Sequence, residues 1–120
     1  MFDEGLAHRV RETIGARSGI QEKRMFGGLA FLLDGNMAVA VSGRSGGLLV
    51  RVDPADEGRL LAEPGVSPMV MGGRPTRGWL VVQAEVLDDA GELGDWVREG
   101  LEFAATLPAK AERAPRSRSQ

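Results

Sequence analysis

The stretch KRMFGGLAFLLDGNMAVAV, residues 23–41, decides the fold. Two apolar runs of strand length, residues 25–33 and 37–42, flank Asp34-Gly35-Asn36. Asp-Gly suits a tight hairpin turn because both central residues take positive φ at little cost. The Gly27-Gly28 pair is not a nucleotide signature. A phosphate loop needs a longer Gly-rich segment ending in Gly-Lys-Ser/Thr before a helix, and the dinucleotide motif needs Gly-x-Gly-x-x-Gly. Here the glycines open a strand, which reads as a bulge or a close approach of the first helix to the sheet. Lys23 to Gly28 is then the lead-in to a hairpin, with two cations on its edge.

Moving outward, the Gly43–Gly47 turn leads to LLVRVD, residues 48–53. Leu48, Val50 and Val52 face one side and Leu49 and Arg51 the other, completing a three-stranded meander. Upstream, Phe2, Leu6, Val10 and Ile14 recur at steps of four and predict a helix over about residues 2–16. Asp3 and Glu4 suit its start, and Gly15 or Gly19 its end. Downstream, Asp53-Pro54 reads as an N-cap followed by proline at the first helical position. A short helix over about residues 54–62 follows, anchored by Leu60 and Leu61 and ended by Pro64-Gly65.

VSPMVM (66–71) and GWLVVQAEV (78–86) read as two further strands separated by residues 72–78. A last helix opens at Asp88 or Asp89, with Glu92 in capping-box position. Leu93, Trp96, Val97, Leu101 and Ala104 or Ala105 give its apolar face. Gly91, Gly94 and Gly100 each weaken it by about 1 kcal/mol relative to alanine. The predicted order α-β-β-β-α-β-β-α is an α+β two-layer sandwich, with helices on one face of a five-stranded antiparallel sheet.

The totals fit one domain. A chain of 120 residues supports a single core, and the absence of cysteine excludes disulfides, thiolate metal ligands and thiol nucleophiles. Asp3 and Glu4 stand where a secretory signal needs cations, and no apolar run approaches the roughly 18 residues of a membrane span. The chain is therefore expected to be cytoplasmic, with no membrane partner. From Pro108 onward four cations meet one acid, so residues 108–120 carry +3 and residues 1–107 carry −5 of the net −2. Residues 1–107 are expected to form the domain and 108–120 a disordered basic tail. The body should repel polyanions and the tail attract them.

KRMFGGLAFLLDGNMAVAV, then GGLLVRVD, GRPTRGWLVVQAEVLDD and the LGDWV of the last helix, together resemble the N-terminal domain of the TfoX/Sxy family. The resemblance spans about residues 2–106. Its most specific pieces are Met25-Phe26-Gly27-Gly28, Val52-Asp53 and Gly78-Trp79. It implies a sandwich similar to the type III secretion chaperone-like fold. Full-length members are regulators of natural competence, thought to work with the cyclic-AMP receptor protein at promoters, and carry a second, helical domain. This chain instead reads as a stand-alone N-terminal domain. The resemblance brings no catalytic residue and no cofactor.

Several groups invite a site reading. Residues 42–47 form either an anion nest around Arg44 or a flexible loop. His8, the only histidine, lies off the apolar stripe of its helix with no second catalytic group beside it. The acidic run Asp88, Asp89, Glu92, Asp95, Glu99 and Glu102 reads as capping and solubility rather than a metal site. Met25, Met37, Met69 and Met71 read as core fillers, and Trp79 and Trp96 as anchors between sheet and last helix. The remaining candidate surface is cationic: Lys23, Arg24, Arg51, Arg74 and Arg77, joined by Arg113, Arg116 and Arg118 of the tail.

The leading expectation is a non-enzymatic regulatory or adaptor domain. It would bind a protein partner, or a second copy of itself as a homodimer, through the exposed sheet face or an edge strand. By the family resemblance that partner belongs to the transcription machinery or its regulators. The alternative is weak nucleic-acid association through the tail, where four cations would give a salt slope of about −3.6. A small-molecule enzyme is the third reading, and it lacks a nucleophile-base pair, a metal cluster and a cofactor motif.

Overall fold

The computed structural model describes residues 2–25, 27–43 and 46–109. Helix α1 (Glu4–Ile14) is capped by Asp3, whose side chain accepts from the Leu6 amide at 3.0 Å, and buries Leu6, Ala7 and Val10. Six strands follow in one antiparallel sheet: β1 (Ile20–Met25), β2 (Gly28–Leu33), β3 (Asn36–Val41), β4 (Leu48–Arg51), β5 (Val66–Met71) and β6 (Arg74–Val82). Their order across the sheet is β1-β2-β3-β4-β6-β5. Between β4 and β5, Asp53 caps a 3-10 turn over Pro54–Asp56 that leads into α2 (Glu57–Leu61). After β6 come a single turn, α3 (Ala84–Leu87), and α4 (Ala90–Ala105).

The expected sheet of five strands is corrected to six. The missed strand, β1, reads Ile-Gln-Glu-Lys-Arg-Met, and four polar residues in a row carry no apolar period. Backbone pairing with β2 places it, with Lys23 opposite Ala30 and Met25 opposite Gly28. Lys23 and Arg24 therefore sit in an edge strand, and the meander has four strands rather than three. Gly27 takes φ +78° beside the turn. A Cβ on Gly28 would collide with the Val41 carbonyl, so the close approach is between neighbouring strands and not with α1. The Asp34-Gly35 turn forms as expected, with φ of +51° and +84°.

Two further boundaries move. The β5–β6 turn needs only Gly72-Gly73, so Arg74 to Arg77 belong to β6. The expected strand continuation through Val86 is instead the turn α3, because the Gln83 amide bonds the Gly65 carbonyl and ends the ladder. The start of α4 is as read: the Asp89 carboxylate accepts from the Gly91 and Glu92 amides at 2.8 and 3.2 Å.

The helices cover one face of the sheet. Phe31, Val39, Val41, Leu48, Val50, Leu80 and Val82 are fully buried there against Val10 of α1 and Leu93, Trp96, Val97 and Leu101 of α4. Gly100 brings α4 onto β3: a Cβ there would lie 2.5 Å from the Ala38 carbonyl oxygen and 2.8 Å from Val39 Cγ1. Gly100 is thus a packing requirement rather than a weakness of the helix. Arg11 of α1 grips Glu22 of β1 in a bidentate pair, Nε–Oε2 2.6 Å and Nη2–Oε1 2.8 Å, tying the edge strand to the helix layer.

Candidate functional site

Strand alternation sends a second apolar set to the face without helices. Ala30, Leu32 and Ala40 are buried in a separate cluster there, with Met25, Met37 and Leu49 packed on it. Of these, Ala40, Met25, Met37 and Leu49 join Met69, Val70, Met71 and Val81 in lining a groove of about 330 Å³. Met25 lies on β1 and Met71 on β5, the two edges of the sheet, so a groove that both line means the sheet curls around its uncovered face. The exposed large apolar side chains in the described residues are Val70 at 60% and Met71 at 50%, and both stand on this rim.

The four strand methionines were expected to fill the core. None of them is in the cluster under the helices, and all four line the groove. On β3 the neighbouring Val39 and Val41 serve the core, and Met37 packs on the other face. Strands β2 and β3 are buried on both faces along nearly their whole length, and those apolar runs at every position are the sequence signal of a second apolar face.

Charge is divided between the layers. The six strands carry a single carboxylate, Glu22, against five cations: Lys23, Arg24, Arg51, Arg74 and Arg77. The four helices carry eight carboxylates against four arginines. Glu22 is already committed to Arg11, and that hydrogen bond holds its carboxyl below the ordinary range. Among the described residues the groove lining contains no acidic side chain.

The five body cations do not form one patch. Lys23 pairs with Ala30 and so shares the groove face, whereas Arg24 turns to the helix side, 5.6 Å over the Phe2 ring. Arg74 stands opposite Met71 across the hairpin, at the groove rim. Arg77 is exposed further along β6. Arg51 was read as part of the candidate cationic surface, pointing away from the Leu48-Val50-Val52 face. Its guanidinium lies over two rings, 5.2 Å from Trp79 and 5.7 Å from Phe103 of α4. Arg51 thereby links Trp79 to the last helix, while Trp96 is a core anchor as read. Arg113, Arg116 and Arg118 of the tail, like Arg44 of the nest reading, lie outside the described residues.

The other groups are ordinary. His8 Nε2 stands 3.7 Å from Glu12 Oε2 on an open helix face, both side chains more than two-thirds exposed. A furrow between α2 and α4 is lined by Glu63, Glu92, Asp95, Glu99 and Glu102 with Arg59 and Arg98. Loss of hydration there raises the Glu99 carboxyl above its ordinary value, against the pull of Arg59. No group of three or more His, Cys, Asp or Glu side chains among the described residues could hold a metal ion. No helix among them is long and apolar enough to cross a membrane.

Both sheet edges discourage strand addition. β1 presents a run of polar and charged residues, and β5 carries Pro68, which lacks an amide donor. The uncovered face, not an edge, is the surface on which apolar contact area is available.

A family model, the TfoX N-terminal domain, matches residues 12–104. No curated protein and no solved structure matches the chain. The match covers more than three-quarters of the sequence, and the chain belongs to the TfoX N-terminal domain family.

Proposed function

We propose that this chain is a non-enzymatic regulatory adaptor that holds a protein partner on the uncovered face of its sheet. The observation that carries the reading is the methionine-lined groove, with Met71 half exposed on its rim. An apolar surface of this kind is kept by a soluble domain for contact with something else. Unbranched, polarisable methionine side chains reshape to the surface they meet. Family membership supports a regulatory role, with the transcription machinery as the expected class of partner.

The test is retention of a partner identified by mass spectrometry and then purified. Wild type and Glu102→Ala, a change on the exposed side of α4, should retain it equally. Met71→Glu should lose it while keeping the wild-type circular dichroism spectrum and unfolding midpoint. Undiminished retention by folded Met71→Glu would remove the groove from the account.

A further inference from the structure

The division of charge between the layers says what kind of segment the groove takes. We infer that the groove docks an acidic amphipathic segment of a partner protein, one that carries apolar side chains flanked by carboxylates; this rests on the docking reading above. The floor is apolar, built from Ala40, Leu49 and Val81 with methionines around them. Its rim is cationic. Lys23 stands two residues from Met25 on the same strand face, and Arg74 stands directly opposite Met71. The one carboxylate carried by the six strands, Glu22, is bonded to Arg11 of α1.

The helix layer sharpens this selection. Its excess of carboxylates repels an acidic segment from the rest of the domain, so the field favours approach to the uncovered face. Other occupants fit less well. A second copy would have to offer either its acidic helix layer or its own groove. Among the described residues the helix layer exposes no large apolar side chain, and two grooves together would set cations against cations. Nucleic acid supplies the negative charge but not apolar side chains, and among the described residues the groove lining holds no aromatic ring on which a base could stack.

The experiment uses the full chain labelled with 13C at the methionine methyl groups. It is titrated with three synthetic 16-residue peptides: alternating Leu and Glu, alternating Leu and Lys, and alternating Ser and Glu. The Leu/Glu peptide should shift the methyls of Met25, Met37, Met69 and Met71. It should bind at least about tenfold more tightly than either other peptide, equivalent to roughly 1.4 kcal/mol. Added salt should weaken it, and Lys23→Glu with Arg74→Glu should reverse the preference between the Glu and Lys peptides. Equal shifts from the Leu/Lys peptide would overturn the charge selection and leave the docking face standing. Equal shifts from the Ser/Glu peptide, or from a short DNA duplex, would overturn the amphipathic requirement. If no peptide moves these methyls, both the inference and the docking reading fail.

Discussion

The two faces of one sheet use the same strands for different ends. Beneath the helices, Phe31, Val39, Val50 and Leu80 are fully buried and interlock with α1 and α4. On the reverse side, Ala30, Leu32 and Ala40 are buried by their neighbours, and methionines stand around them half covered. The first face is filled mainly by Val, Leu and Phe side chains with well-defined rotamers, which specify one packing. The second is filled by small residues and flexible ones, which leaves room and permits adjustment. Stability should therefore reside on the helix side and adaptability on the other, and mutations can separate the two.

The largest effect is expected from Phe31→Ala, which removes a fully buried ring beneath the helices. It should lower the unfolding free energy by about 3–5 kcal/mol in urea titration. Gly100→Ala comes next, at about 1–3 kcal/mol, because the new methyl meets the Ala38 carbonyl and Val39 and α4 must lift from β3. Gly94→Ala in the same helix tests that reading with the opposite sign. A Cβ there meets nothing within 4 Å, so it should stabilise by up to about 1 kcal/mol. A loss of stability at position 94 would mean that helix packing is tighter on that side than described.

On the uncovered face, Met71→Ser should change stability by less than about 0.5 kcal/mol, in keeping with its half exposure. A loss comparable to that of Phe31→Ala would erase the distinction between the faces. The smallest effect concerns pH. Hydrogen bonding to Arg11 lowers the Glu22 carboxyl from its ordinary 4.5, so its contribution is present above that value and fades as pH falls through the lowered one. Unfolding midpoints from pH 7 down to pH 3 should therefore fall less steeply for Glu22→Gln than for wild type. Glu99 works the other way: burial raises its carboxyl, so its ionised form is disfavoured in the fold, and Glu99→Gln should not lower stability at pH 7.

Much of the helix side was legible in the sequence, because helical spacing and caps are local signals. Leu6 and Val10 on α1, the Asp53-Pro54 start and the Asp89 cap all act as read. β1 was not legible, since an edge strand of polar residues is made by pairing with β2 and not by its own pattern. The groove was missed for a related reason. Methionine is compatible with any apolar environment, and whether a second apolar face is covered depends on where the helices pack. Arg51 shows the limit for single residues: alternation placed it away from the core, but only the fold brings Trp79 and Phe103 beneath its guanidinium.

The most direct test of the difference between the faces is hydroxyl-radical footprinting of the full chain, free and with its purified partner, read by mass spectrometry. In the free protein Met69 and Met71 should oxidise readily while buried Trp96 does not, and the partner should protect the groove methionines and leave the exposed side of α4 unchanged. Protection confined to the helix layer, or unreactive groove methionines in the free folded chain, would contradict the account.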